Sequence, residues 1–268
     1  IILILSISLV TITGCEKKGE ENKKDESSST NNEANVDANA LNLEIEYASD
    51  FKDGIAIIKS GGKYGAINTE GKTVLDCSNL MIERIDDLLK VKKDHNFGLV
   101  DKDGKVVADY IYQTIDKMDD DLYKVRKGDY GLINKDGKEI VPCNFLYIGE
   151  VSEGIITMKA SDKFIYVTKE GKLITKKGYK NASDFSDGMA GVETFENNNI
   201  FIDTTGKEMV PEVEISIANK FSEGLAAVAK EKDGKYCYID KTGKVVLDCS
   251  EYELSLIHIS EPTRLGMI

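Results

Sequence analysis

Carboxylates, five cysteines and two histidines are the side chains with which this 268-residue chain could do chemistry, and their spacing decides which chemistry is open to it. His95 stands in the polar run Lys93-Asp94-His95-Asn96 with no second imidazole near it, and His258 lies close to the end of the chain. A zinc centre asks for several His or Cys at ligand spacing. No such set is written here, so His95 reads as a solvated loop residue. Nucleophilic catalysis would need a Ser/His/Asp set or a Cys/His pair, and phosphate binding a Walker loop; none is evident. Asp101-Lys102-Asp103-Gly104 opens like a calcium loop, but Tyr110 occupies the place of the bidentate Glu that an EF-hand needs six residues after its glycine. Two carboxylates facing a scissile bond would make a glycosidase. The acids here instead recur at equivalent places along the chain, as structural residues do. The expectation is no catalytic residue, no metal and no cofactor. An extracytoplasmic carbohydrate-active hydrolase stands as the alternative.

The recurrence comes from a repeat. A β-branched residue, then Asn, Asp or Thr, two polar residues and Gly-Lys return six times, with glycines at Gly71, Gly104, Gly137, Gly171, Gly206 and Gly243. A fixed period near this length marks a repeat architecture. Upstream of the phrase lies an aromatic residue with an acidic-Gly step, as in Phe51-Lys52-Asp53-Gly54, Phe185-Ser186-Asp187-Gly188 and Phe221-Ser222-Glu223-Gly224. Units two and three lose that glycine and start from Asp87-Leu88 and Asp121-Leu122. Apolar residues then alternate (Ala56 and Ile58, Leu89 and Val91, Tyr123 and Val125, Ala190 and Val192), which is the period of a half-buried strand. Next comes an aromatic-Gly pair, Tyr64-Gly65, Phe97-Gly98 or Tyr130-Gly131. Unit four has Phe164-Ile165, unit six Tyr236-Cys237, and unit five, the most degraded, Asn199-Ile200.

The Gly-Lys phrase is turn chemistry. In Ile133-Asn134-Lys135-Asp136-Gly137-Lys138, Asn134 can fold its side chain back onto the backbone and Gly137 supplies a positive φ. A residue with a Cβ would cost about 1–2 kcal/mol there, which accounts for a glycine in every copy without a ligand. Each unit reads as three short strands. Pro142 and Pro211 both fall five residues past a turn glycine, where a strand's end is expected because proline donates no ladder bond. Cys77, Cys143 and Cys249 stand six residues past theirs, so with Cys237 they read as small buried hydrophobes. Equivalent positions in separate units are usually too far apart for a disulfide, although an exported protein could oxidise its cysteines.

Taken together, the aromatic-Gly pair, the Gly-Lys turn and the Phe-x-acid-Gly step resemble the bacterial WG-repeat (Trp-Gly β-repeat, or KWG) family. The departure is that the chain has no Trp, and Tyr or Phe takes its place. Either ring can fill an aromatic core slot. The resemblance implies surface or secreted repeat arrays with no single activity. An all-β fold is expected over 41–253, six tandem β-meanders in a propeller-like ring, with an open β-solenoid as the alternative.

The ends carry their own signals. Residues 1–14 form an uncharged apolar run, too short for a permanent membrane span and suited to a signal peptide. Ile12-Thr13-Gly14-Cys15 resembles the lipobox of bacterial lipoproteins, which implies lipidation of Cys15. The chain opens on Ile1 without Met, so its true start is expected upstream. Residues 15–40, rich in Glu, Lys, Asn and Ser, read as a disordered acidic tether. Residues 254–268 contain a stretch resembling a translated sequencing adapter and are expected to be foreign, which removes His258 from consideration and makes six repeats a minimum.

A net charge of −12 and a pI near 4.8 argue against nucleic acid or an anionic membrane surface as partner. The reading that follows is a lipid-anchored, extracytoplasmic binding or interaction module, held to the cell membrane through Cys15, with a protein or glycan as ligand. A structural spacer is the blander option.

Overall fold

The computed structural model describes residues 44–230 and 235–249. The expected signal peptide, Cys15, the tether and the adapter-like tail with His258 lie outside the described residues. Every regular element among the described residues is a strand, and the strands form six antiparallel sheets in chain order. The first sheet holds β1 (Tyr47–Ala48), β2 (Ile55–Ser60), β3 (Lys63–Asn68) and β4 (Thr73–Asn79). The second holds β5 (Met81–Ile85), β6 (Leu88–Lys93), β7 (Asn96–Val100) and β8 (Val106–Tyr112). The third holds β9 (Thr114–Asp119), β10 (Leu122–Lys127), β11 (Asp129–Asn134) and β12 (Glu139–Phe145). In the fourth only β13 (Tyr147–Ser152), β14 (Ile155–Ala160) and β15 (Lys163–Thr168) pair. The fifth comprises β16 (Asn181–Ala182), β17 (Met189–Glu193), β18 (Asn199–Asp203) and β19 (Glu208–Met209). The sixth comprises β20 (Ile215–Ala218), β21 (Leu225–Lys230), β22 (Lys235–Asp240) and β23 (Val245–Asp248).

Five of the six sheets therefore have four strands where the sequence pattern suggested three. The additional strand is the run before the acidic step. In units two to four it follows the preceding unit's last strand after one residue, Leu80, Gln113 or Leu146, so one extended segment serves two sheets. Its apolar residues are sparse and its period is shared with the strand before it, which hid the boundary.

Two turns build each unit. The acid-Gly step closes the first hairpin: Asp187 and Gly188 have φ of 52° and 76°, and Ser186 and Met189 exchange N–H···O bonds of 2.9 and 3.2 Å. Positive φ at both central residues is the type I′ geometry that suits the twist of paired strands. Where Asp87 and Asp121 replace the glycine, only one central residue, Asp86 or Asp121, keeps a positive φ. The Gly-Lys phrase closes the third hairpin. Asn134 Oδ1 accepts from the Asp136 and Lys138 amides at 3.1 and 2.8 Å, and the Gly137 amide donates to the Asn134 carbonyl at 3.0 Å. Gly137 has φ of 75°, and a Cβ there would collide with the Val107 carbonyl of the preceding unit. Its glycine thus answers both a turn and a close approach between units.

The aromatic-Gly glycine has a different reason. Tyr130 pairs with Phe145 but Leu132 with Val141, so the outer strand carries extra residues opposite Gly131. This bulge pushes Cys143 over the glycine. A Cβ on Gly131 would stand 2.8 Å from both Cys143 Sγ and the Val141 carbonyl. Gly65 meets Leu75 and Cys77 in the same way. Pro142 lies inside the same bulge, in the middle of edge strand β12 and not at a strand's end. Edge strands and bulges tolerate a missing donor.

The core is divided among the seams between sheets. Residues alternate between two faces, so that Leu89 and Val91 pack back against Ile55 and Ile57 while Leu88 packs forward against Ile115 and Tyr123. Five buried clusters join the six sheets in succession, and none of the five joins the sixth sheet to the first. Meanders that bury their faces only against neighbours form a propeller-like repeat.

Candidate binding cleft at the fifth unit

The turn acids, the obvious candidates for chemistry, reach across the seams. Asp86 accepts from Lys117 Nζ at 2.5 Å and from the Tyr123 hydroxyl at 2.9 Å, both in the next unit. Lys117 holds the Asp86 carboxyl below the ordinary carboxylate range, against the opposing effect of burial. Glu153 accepts from the Gly188 amide at 2.9 Å, and Asp187 accepts from the Gly224 amide at 2.5 Å and Lys241 Nζ at 2.7 Å. Asp119 pairs with Lys169. The serines of the step do likewise: Ser152 Oγ donates to the Phe185 carbonyl at 2.6 Å and Ser186 Oγ to the Phe221 carbonyl at 2.8 Å. These groups are spent on joining units.

At the opposite strand ends the rings of the aromatic-Gly position in units one to four are half-buried and carry cations. Lys59 Nζ lies 5.6 Å from the Tyr64 centroid, Lys92 5.1 Å from Phe97, Arg126 5.4 Å from Tyr130 and Lys159 5.0 Å from Phe164. Each cation is the cross-strand partner of its ring, the geometry of a cation–π pair. In units one to three the capped ring packs on the edge of a core cluster, while Tyr236 of unit six is buried, as expected of a core slot.

Unit five departs from this plan twice. Asn199 stands where the ring should be, and its Nδ2 donates across the seam to the Ile215 carbonyl at 3.1 Å. The outer strand β19 stops after two residues, just before Pro211, whereas β4, β8 and β12 run for seven. A missing ring and a missing wall leave a cavity of about 450 Å³. Its apolar lining includes Ile200, Val213 and Ile215, and its polar lining includes Glu196, Asn199 and Glu214. A second cavity of about 500 Å³, walled by Thr175 and Tyr179, shares Lys177 and Glu208 with the first. It opens because unit four has no outer strand, only isolated bridges at Leu173 and Tyr179. Lys177 and Glu208 form an ion pair of 2.8 Å, and Glu208 also accepts from the Tyr179 hydroxyl at 3.0 Å. Its own backbone N–H and the Thr194 hydroxyl hold the Glu196 carboxyl below its usual range. Burial, then Glu208, pushes the Tyr179 phenol upward.

His95 sits in the exposed loop after β6. Cys77, Cys143, Cys237 and Cys249 are free thiols, and burial raises the first three. Asp101 lies in a Gly-Lys turn, its Oδ1 taken by the Asp103 and Lys105 amides at 3.0 and 2.9 Å. Among the described residues no group of three or more His, Cys, Asp or Glu is placed to hold a metal. The structure spaces the six turn glycines along successive units and gathers them at no common site. Motif reading missed the cleft, although Asn199-Ile200 and Pro211 marked the unit that holds it.

Stacked meanders joined by recurring turns define a tandem β-repeat protein. The family model described as WG containing repeat matches residues 40–64, 97–129, 130–164, 166–197 and 201–236, and the chain belongs to that family. No curated protein matches it. Among solved structures, Hsv2p of Kluyveromyces lactis is 12% identical, with 73% of this chain and 74% of that one covered and a TM-score of 0.31. The WD40 β-propeller domain of Doa1 is 12% identical, with coverage of 76% and 82% and a TM-score of 0.28. An inactive virginiamycin B lyase from Staphylococcus aureus is 12% identical, with coverage of 77% and 84% and a TM-score of 0.29. The fold assignment rests on the sheets themselves.

Proposed function

We propose that the chain is a non-catalytic binding module, anchored outside the cell by a lipid on Cys15 and presenting its repeats to a protein or glycan of the envelope. One observation carries this reading. The turn acids Asp86, Glu153 and Asp187 are engaged across seams, and the unit that breaks the repeat pattern opens a lined cleft. The anchor rests on the lipobox-like Ile12-Thr13-Gly14-Cys15 after an apolar run. The polar stretch 15–40 would then set the module off from the bilayer.

The anchor is tested by metabolic labelling with a fatty acid. Label is expected on the wild-type chain and absent from Cys15→Ser; equal labelling of both would remove the anchor. Binding is tested by recovery from intact envelopes with unlipidated chain as bait. A recurrent glycan or protein absent from a surface-scrambled control supports the reading, and repeated recovery of nothing above that control contradicts it. The three glutamates around one cavity favour a second reading, a carbohydrate hydrolase. Its acid would need a carboxyl raised toward neutrality, whereas the Glu196 carboxyl is lowered. Glycan turnover lost in Glu196→Gln or Glu208→Gln would establish it.

A further inference from the structure

We propose that Cys237 and Cys249 close a disulfide across the Gly-Lys hairpin of unit six when the chain meets a disulfide oxidant, clipping the outer strand β23 to β22. The inference goes beyond the binding reading and does not depend on the cleft.

Units one and three supply the geometry. In each, the cysteine six residues past the turn glycine lies over the glycine of the aromatic-Gly pair. A Cβ on Gly65 would stand 2.8 Å from Cys77 Sγ, and a Cβ on Gly131 would stand 2.8 Å from Cys143 Sγ. An S–S bond of about 2.04 Å with ordinary angles at sulfur sets the Cβ of one cysteine about 3 Å from the sulfur of the other. The repeat therefore offers a disulfide site wherever both places hold cysteine. Unit six is where they do: Cys237 replaces the glycine, and Cys249 keeps the partner place at the spacing of Gly131 and Cys143. In the structure both are free thiols, Cys237 within β22 and Cys249 directly after β23. Cys237 is the Cα partner of Asp248, and the Cys249 amide donates to the Tyr236 carbonyl at 3.1 Å. The sulfurs come together when this edge strand takes up the bulge that β4 and β12 already have.

Cys249 is partly exposed and Cys237 is buried, so an incoming small-molecule disulfide meets Cys249 first. The Cys249 thiolate attacks one of its sulfurs, forms a mixed disulfide and releases a thiol. Cys237 then attacks Cys249 Sγ as its thiolate and releases the second thiol. The two cysteines give up two electrons and two protons, which leave on the two thiols released.

The test uses the full chain with Cys15→Ser, incubated with oxidised glutathione, alkylated without reduction and cut with trypsin. Cleavage after Lys235, Lys241, Lys244 and Arg264 separates the two cysteines. Peptides 236–241 and 245–264 are expected to be joined by a bond that a reductant breaks, with Cys77 and Cys143 alkylated. The same linked pair is expected when Cys77→Ser and Cys143→Ser are added. The oxidised chain is expected to exchange its amides in β22 and β23 at least about tenfold more slowly than Cys249→Ser treated alike, the effect of closing a short loop. Alkylation of both cysteines in the folded chain, glutathione retained on Cys249 without a linked pair, or exchange equal to that of Cys249→Ser would overturn the proposal. A linked pair that formed only in urea would overturn it too, since pairing would then owe nothing to the fold.

Discussion

At the scale of single residues, the glycines and acids owe their positions to crowding and to hydrogen bonds. Gly131 has no Cβ because the bulged outer strand lays Cys143 and the Val141 carbonyl on it. Gly131→Ala is therefore expected to destabilise the chain by about 1–3 kcal/mol, the usual range for overpacking, read as a lower urea midpoint with an unchanged slope. Acid sensitivity follows from the turn carboxyls. Asp86, Asp119 and Asp187 all titrate below the ordinary aspartate value of 3.8, chiefly through hydrogen bonds from Lys117, Lys169 and Lys241. A carboxyl depressed in the folded state contributes stability that is present above the unfolded value and lost as pH falls through the folded one. The thermal midpoint is expected to hold steady down to about pH 4 and then drop, and Asp86→Asn should flatten part of that drop. A midpoint that rose on acidification would contradict the assignment.

At the scale of elements, the legible part of the fold was the part that repeats chemistry. The Gly-Lys hairpins and the alternating strands β2, β6, β10, β14, β17 and β21 could be read directly, because turn chemistry and period-two patterning are local. The strands β5, β9 and β13 could not. Each continues the previous unit's last strand after one residue, and its pairing is decided by the sheet it joins. The cleft was hidden for a similar reason. Asn199 and Pro211 are legible as departures, but that they open one cavity depends on which strands meet at the seam. The serine staples were also invisible until the units were stacked. Ser186 Oγ holds the Phe221 carbonyl of the next unit at 2.8 Å. Ser186→Ala is expected to cost about 1 kcal/mol, the net value of one such bond, and Ser152→Ala a similar amount. Because the two sit in different seams, the double variant should show nearly the sum; a strongly non-additive result in equilibrium unfolding would mean that the seams are not separate.

At the scale of the molecule, six meanders are held by five clusters, each shared between neighbours, in place of one central core. Stability in such an array is a sum of unit and interface contributions. Departure from the repeat in one unit then costs only its local contacts, which lets unit five lose a ring and most of a strand and gain a cleft. The most direct measurement is native-state amide hydrogen exchange along the whole chain. Slow exchange is expected once per unit, centred on the paired middle strands β2–β3, β6–β7, β10–β11, β14–β15, β17–β18 and β21–β22, with fast exchange at 175–178, Val210 and 213–214 beside the cleft. Protection that ignored the repeat period, or that was as high at the cleft as in the middle strands, would contradict both the seam-by-seam architecture and the open site built on it.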